Sequence, residues 1–157
     1  MTLAADLVAK AKALGLTVTA AESCTGGMIC AAITDIASSS TVFERGFVTY
    51  SNAAKTEMLG VSSATLLAQG AVSEQVAREM AEGALHRAGA RIAVSVTGIA
   101  GPGPSEFKPE GRVCFGLAQA GRETETSTVE FGARGRAAVR AATRDHALSL
   151  IIAALSL

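Results

Sequence analysis

Leu3, Leu7, Val8, Ala11 and Leu14 recur at helical spacing with Asp6, Lys10 and Lys12 between them, and Gly15 stops the helix they predict. Residues 16–21, an apolar run with β-branched Thr17, Val18 and Thr19, predict a strand. A helix over about 26–36 follows, and the serine-rich 37–40 reads as a loop. Residues 43–50 alternate apolar and polar and predict a second strand. Asn52 suits the N-cap of a short helix that Gly60 ends, and residues 63–69 predict another. Ser73 caps a longer helix with Glu74 in its first turn and His86 and Arg87 in its last, the charge order that a helix dipole favours. Residues 91–97 are almost continuously apolar or β-branched and predict a central strand. Residues 98–111 hold all 3 prolines of the chain and predict no regular structure. Segments 112–120 and 122–131 predict an antiparallel hairpin turning at Gly121, and 136–155 a closing helix. This order predicts the α/β class: a single-domain three-layer α/β/α sandwich with a mixed sheet, spanning 1–157.

Composition narrows the partners. The chain is 49% hydrophobic and 18% charged, which describes a packed domain rather than a disordered one. Its formal charge is zero and no Lys/Arg run occurs, which argues against a nucleic-acid or membrane-surface partner. Aromatic residues are 4% and Trp is absent, too few for a base-stacking platform. Cys24, Cys30 and Cys114 are odd in number and lack CxxC spacing, so neither a disulfide framework nor a zinc site is expected. The first residues read as an amphipathic helix rather than a leader, and no apolar run reaches membrane-spanning length; a cytoplasmic setting is expected.

Candidate chemistry gathers at strand ends. Ala20-Ala21-Glu22-Ser23-Cys24-Thr25-Gly26-Gly27 joins a strand, a glycine turn and a helix start at one serine. The first N–H groups of such a helix can hold an anion or a developing oxyanion; the alternative is a plain connector. Three loops, 23–27, 50–55 and 97–111, converge if their strands are neighbours. With Asn52 as N-cap, Lys55 is the third helical residue, where the dipole disfavours a cation. Desolvated there, its amine would lose its proton and could take the hydroxyl proton of Ser23; the alternative is a surface lysine. Thr97-Gly98-Ile99-Ala100-Gly101-Pro102-Gly103 offers a hydroxyl and glycine backbone for a phosphate or carboxylate, or is a loop without ligand. Arg136 and Arg140, one turn apart, could clamp a phosphate or form a solvated basic face. Cys24 is a rival nucleophile with no histidine nearby in sequence.

Taken together, residues 21–27, Tyr50-Ser51-Asn52-Ala53-Ala54-Lys55, Leu59-Gly60-Val61, Gly70-Ala71-Val72-Ser73 and Val96 through Pro102 resemble the CinA carboxy-terminal domain family, which includes bacterial nicotinamide-nucleotide amidases. The resemblance runs from the first helix to the last. It implies hydrolysis of the carboxamide of nicotinamide mononucleotide to nicotinate mononucleotide and ammonia. It also implies a Ser/Lys dyad that maps onto Ser23 and Lys55, with Thr97 and Tyr50 at further active-site positions. Expected substrate-binding residues are Glu22, Thr25, Gly26, Gly27, Asn52, Gly98, Gly101, Arg136 and Arg140, with N–H groups of the Gly26 helix and Thr97 facing the oxyanion. The expected partner is a small-molecule nucleotide substrate; no cofactor or metal is called for, and a homo-oligomer is compatible with the resemblance. Two segments depart from the family pattern. Gly103 is followed by Pro104-Ser105-Glu106-Phe107, one residue shorter than the usual glycine-rich run, and Gly132-Ala133-Arg134-Gly135-Arg136 replaces a shorter Gly-Asp-Arg. The first departure favours the alternative function, a non-catalytic nucleotide-binding or interaction module.

Overall fold

The structure is a computed structural model describing residues 1–156. Helix α1 (Leu3–Leu14) starts at Thr2, whose hydroxyl accepts from the Ala5 N–H, and ends at Gly15 in the left-handed conformation. A strand, β1 (Val18–Glu22), leads into α2 (Met28–Thr34), and β2 (Phe47–Val48) into α3 (Asn52–Leu59). Helices α4 (Ser63–Gln69) and α5 (Glu74–Ala88) follow, then β3 (Ile92–Gly98), β4 (Arg112–Gln119), β5 (Glu125–Glu130) and α6 (Arg136–Leu155). The hydroxyls of Ser51, Ser62 and Ser73 cap α3, α4 and α5.

The sheet order is β2-β1-β3-β4-β5, with β1 parallel to β2 and β3, and β4 antiparallel to β3 and β5. Helices α1, α2 and α6 cover one face and α3, α4 and α5 lie on the other, so the architecture is the expected mixed α/β/α sandwich. The two faces differ in side-chain size. Ile92, Val94, Val96, Val113, Phe115 and Leu117 pack toward α1, α2 and α6. The opposite face carries Ala21, Ala93 and Ala118 with the Ser95–Gly116 pair, small residues that let α5 approach closely. Any Cβ on Gly116 would overlap the carbonyl of Ala77. Burial on both faces is why β3 reads as a continuous apolar run.

Boundaries depart from expectation by one residue in β3 and β4 and more tellingly elsewhere. Strand β1 starts and ends later than 16–21, because Leu16 N–H still bonds the carbonyl of Ala11. Helix α2 is shorter than 26–36, since Gly26 and Gly27 take positive φ and open the turn. Segment 43–50 is not one strand: only Phe47–Val48 pairs with β1, plus a single bridge from Phe43 to Val18. Thr19 Oγ1 donates to the carbonyl of Arg45 at 2.7 Å, taking the place of a strand partner there, and a Cβ on Gly46 would overlap Cys30 Sγ. Ser51, not Asn52, is the N-cap of α3, its extended backbone placing Oγ 3.0 Å from Ala54 N. Strand β5 starts at Glu125, because Thr124 is drawn onto α5, its Oγ1 donating to Glu82 and its carbonyl accepting from Arg78. No helix among the described residues is long and apolar enough to cross a membrane.

Candidate active site

Since β2, β1 and β3 are parallel neighbours, the segments leaving their carboxyl ends meet at one edge of the sheet, where open α/β sheets bind ligands. Ser23 follows β1 directly, its N–H bonded to Val96 O at 3.2 Å. Ser23, Lys55, Thr97 and Gly98 line a cavity of about 300 Å³ together with Tyr50, Asn52, Gly101 and Arg136. Of the residues expected from sequence, Glu22, Thr25, Gly26, Gly27 and Arg140 do not line it.

Lys55 is the fourth residue of α3, because the helix starts one residue earlier than expected, and its side chain is 1% exposed. Its Nζ lies 2.9 Å from Ser23 Oγ, 2.9 Å from Thr49 O and 3.3 Å from Tyr50 O. Two of these partners are carbonyls, which only accept. A neutral amine donates its two N–H groups to them and turns its lone pair on the Ser23 hydroxyl. Burial pushes the Lys55 ammonium below its ordinary range, while Cys24 and Glu106 pull the other way.

Glu22 occupies the start of α2. Its buried carboxylate accepts from Thr25 Oγ1 at 2.6 Å and from the N–H groups of Gly27, Ile29 and Cys30 at 3.1, 3.0 and 2.9 Å. Met28 N–H goes to Thr25 O. The donors expected to face an oxyanion are thus already satisfied, and Glu22 and Thr25 are internal struts rather than substrate contacts. Arg140 is likewise not half of a phosphate clamp: its guanidinium donates to the carbonyls of Cys24 and Thr25. Neither the Cys24 nor the Thr25 N–H bonds to another residue among the described ones; the Cys24 N–H faces its own Sγ, and of the two residues only Cys24 lines the cavity. Cys24 beside Ser23 is buried, and burial pushes its thiol up to about 11, which disfavours the thiolate needed for attack.

Arg136 donates to Gly101 O at 2.7 Å and to the Tyr50 hydroxyl at 2.8 Å, leaving further N–H groups toward the cavity. Thr97 Oγ1 donates to Ala71 O at 2.9 Å, so its proton is not aimed at substrate. Residues 105–108 form a tight turn, with Ser105 and Lys108 exchanging backbone hydrogen bonds and Glu106 and Phe107 at φ 52 and 63. Lys108 Nζ reaches across to Gln69 O and Val72 O, and Ala71 N–H donates to Glu106. Glu106 thereby lines the cavity, a residue that sequence reading missed because nothing in a glycine- and proline-rich segment marks which side chain turns inward. A larger cavity of about 840 Å³ lies between α3, α4 and this turn and contains neither Ser23 nor Lys55. No group of side chains suited to a metal ion occurs among the described residues.

The chain is similar to known proteins over most of its length. Residues 1–155 match the family described as the CinA C-terminal domain. A relative from Enterobacter agglomerans named nicotinamide-nucleotide amidohydrolase PncC is 59% identical over 139 residues, 88% of this chain and 84% of its own. The protein of that name from Escherichia coli K12 is 55% identical over 141 residues, 89% of this chain and 85% of its own. Among solved structures, the competence/damage inducible protein CihA from Agrobacterium tumefaciens superposes with a TM-score of 0.94 at 48% identity, covering 99% of this chain and 94% of that one.

Proposed function

As the chain belongs to the CinA C-terminal domain family, we propose that it is an amidohydrolase that converts nicotinamide mononucleotide to nicotinate mononucleotide and ammonia through a Ser23/Lys55 dyad. The observation that carries the mechanism is the buried amine fixed by two carbonyls with its remaining position 2.9 Å from Ser23 Oγ. Neutral Lys55 takes the hydroxyl proton as Oγ attacks the carboxamide carbon. The N–H of Cys24, a residue of the cavity wall, receives the negative oxygen in place of the α2 donors expected from sequence. Lys55 then protonates the departing nitrogen as the C–N bond breaks, leaving an acyl-serine and ammonia. Water attacks the acyl carbon, gives its proton to Lys55, and Ser23 is regenerated as the acid leaves. Thr97 Oγ1, having donated to Ala71, keeps lone pairs for the substrate's carboxamide N–H. Arg136, already braced on Tyr50 and Gly101, is the cavity's partner for the 5′-phosphate.

Ammonia release from nicotinamide mononucleotide by purified protein tests the proposal. Binding without release at any enzyme concentration would assign the chain to the non-catalytic alternative. Comparing pyridine carboxamides with and without the phosphate identifies a different amide substrate.

Two further outcomes are expected. The activity rises with pH through the pKa of Lys55, because only the neutral amine accepts a proton. Since the folded pKa is depressed, the rise lies below the ordinary lysine value of 10.5. A pH–rate profile whose ascending limb sits at or above that value contradicts the dyad. Cys24→Ala is expected to keep kcat within about threefold of the parent, since a thiol held near 11 is protonated at neutral pH. A loss on the order of 100-fold with the fold intact would move the nucleophile to sulfur.

A further inference from the structure

We infer that Arg140 is a positioning residue for the reaction: from α6 it sets the turn after Ser23 so that the Cys24 N–H meets the oxyanion. The inference rests on the amidohydrolase reading above. Arg140 Nε donates to Cys24 O at 3.0 Å and Nη2 to Thr25 O at 3.1 Å, so one planar fork spans two successive carbonyls. The same Nη2 lies 3.4 Å from where a Cβ on Gly26 would sit, so the guanidinium packs directly beneath the turn. In a trans peptide the C=O and N–H bonds point to opposite sides. The N–H of Thr25 shares its peptide with Cys24 O, so fixing that oxygen on α6 directs the N–H away from α6.

The neighbouring peptide is held from within the turn, since Ser23 O accepts from Gly26 N–H at 3.1 Å and its partner N–H is that of Cys24. Cys24, on the cavity wall, is therefore held from both sides, the peptide before it by the backbone of the turn and the peptide after it by Arg140. A guanidinium on a carbonyl also polarises the peptide and strengthens its N–H as a donor. The rest of the junction offers no replacement, because the Gly27, Ile29 and Cys30 N–H groups belong to Glu22. Arg140 lies outside the substrate cavity, so it acts only through the loop.

The test compares Arg140→Ala, Arg140→Gln and Arg140→Lys with the parent in ammonia release from nicotinamide mononucleotide, alongside thermal unfolding. The expected result for Arg140→Ala is a fall in kcat of roughly 100-fold with KM within about threefold. Millimolar guanidinium is expected to restore part of that kcat, and to restore none in Ser23→Ala. Arg140→Lys recovers less than about tenfold, since an ammonium cannot fork across two carbonyls. A kcat within about threefold of the parent, a loss confined to KM, or a loss that guanidinium leaves unchanged overturns the inference. Should Arg140→Ala fail to fold, Arg140→Gln, which keeps one amide donor, decides by the same kcat and KM criteria. A parent protein that releases no ammonia refutes the amidohydrolase reading instead, so the two failures are distinct.

Discussion

Ser23→Ala is expected to release ammonia at least about 10³-fold more slowly than the parent, and Lys55→Met to match it. Without Oγ there is no acyl intermediate. Without the amine nothing within hydrogen-bonding distance of Oγ can take its proton, since that position is held by Lys55 Nζ at 2.9 Å. Because each residue is idle without the other, the double variant should be no slower than either single one. Methionine fills the buried volume that Lys55 occupies but leaves Thr49 O and Tyr50 O without their donor, so unfolding must be followed in parallel. Turnover near the parent's in either folded variant discards the dyad.

Glu22→Ala is expected to lower the unfolding free energy by roughly 3–5 kcal/mol, read as a shift of the urea midpoint at constant slope. The carboxylate is 0% exposed and satisfies three N–H groups and the Thr25 hydroxyl. Alanine leaves those donors facing one another across a void that has no acceptor. Glu22→Gln, which keeps one acceptor oxygen but sets an NH₂ among donors, is expected to lose less than alanine does. A loss below about 1 kcal/mol for Glu22→Ala would mean that water reaches the junction and replaces the carboxylate.

What was legible in the sequence follows from which forces are local. Helix bounds are carried by caps, so Gly15, Gly60 and Ser73 mark α1, α3 and α5 in the sequence as they do in space. The neighbouring Ser51 and Asn52 are both good caps, and only the extended backbone at Ser51 separates them. Alternation over 43–50 misled because a side chain, Thr19, replaced a strand partner for Arg45 O, an exchange that no local pattern encodes. The meeting of Ser23 with Lys55 depended on the order of parallel strands, which the strand-end reading anticipated only as a condition. Glu22 was expected on substrate from the family resemblance, and Arg140 because it lies one helical turn from Arg136. Both instead fasten the turn itself, one through its N–H groups and the other through its carbonyls.

The turn at 105–108 bears on the thermodynamics of ligand capture. Lys108 ties it to Gln69 and Val72, Glu106 to Ala71, and Gly103 N–H to Glu110. Chain segments so anchored have surrendered their freedom during folding, and an arriving nucleotide has little loop motion left to quench. The unfavourable entropy of association then falls on the nucleotide's own tumbling and torsions. Capture becomes a single encounter step, without a slower ordering phase behind it.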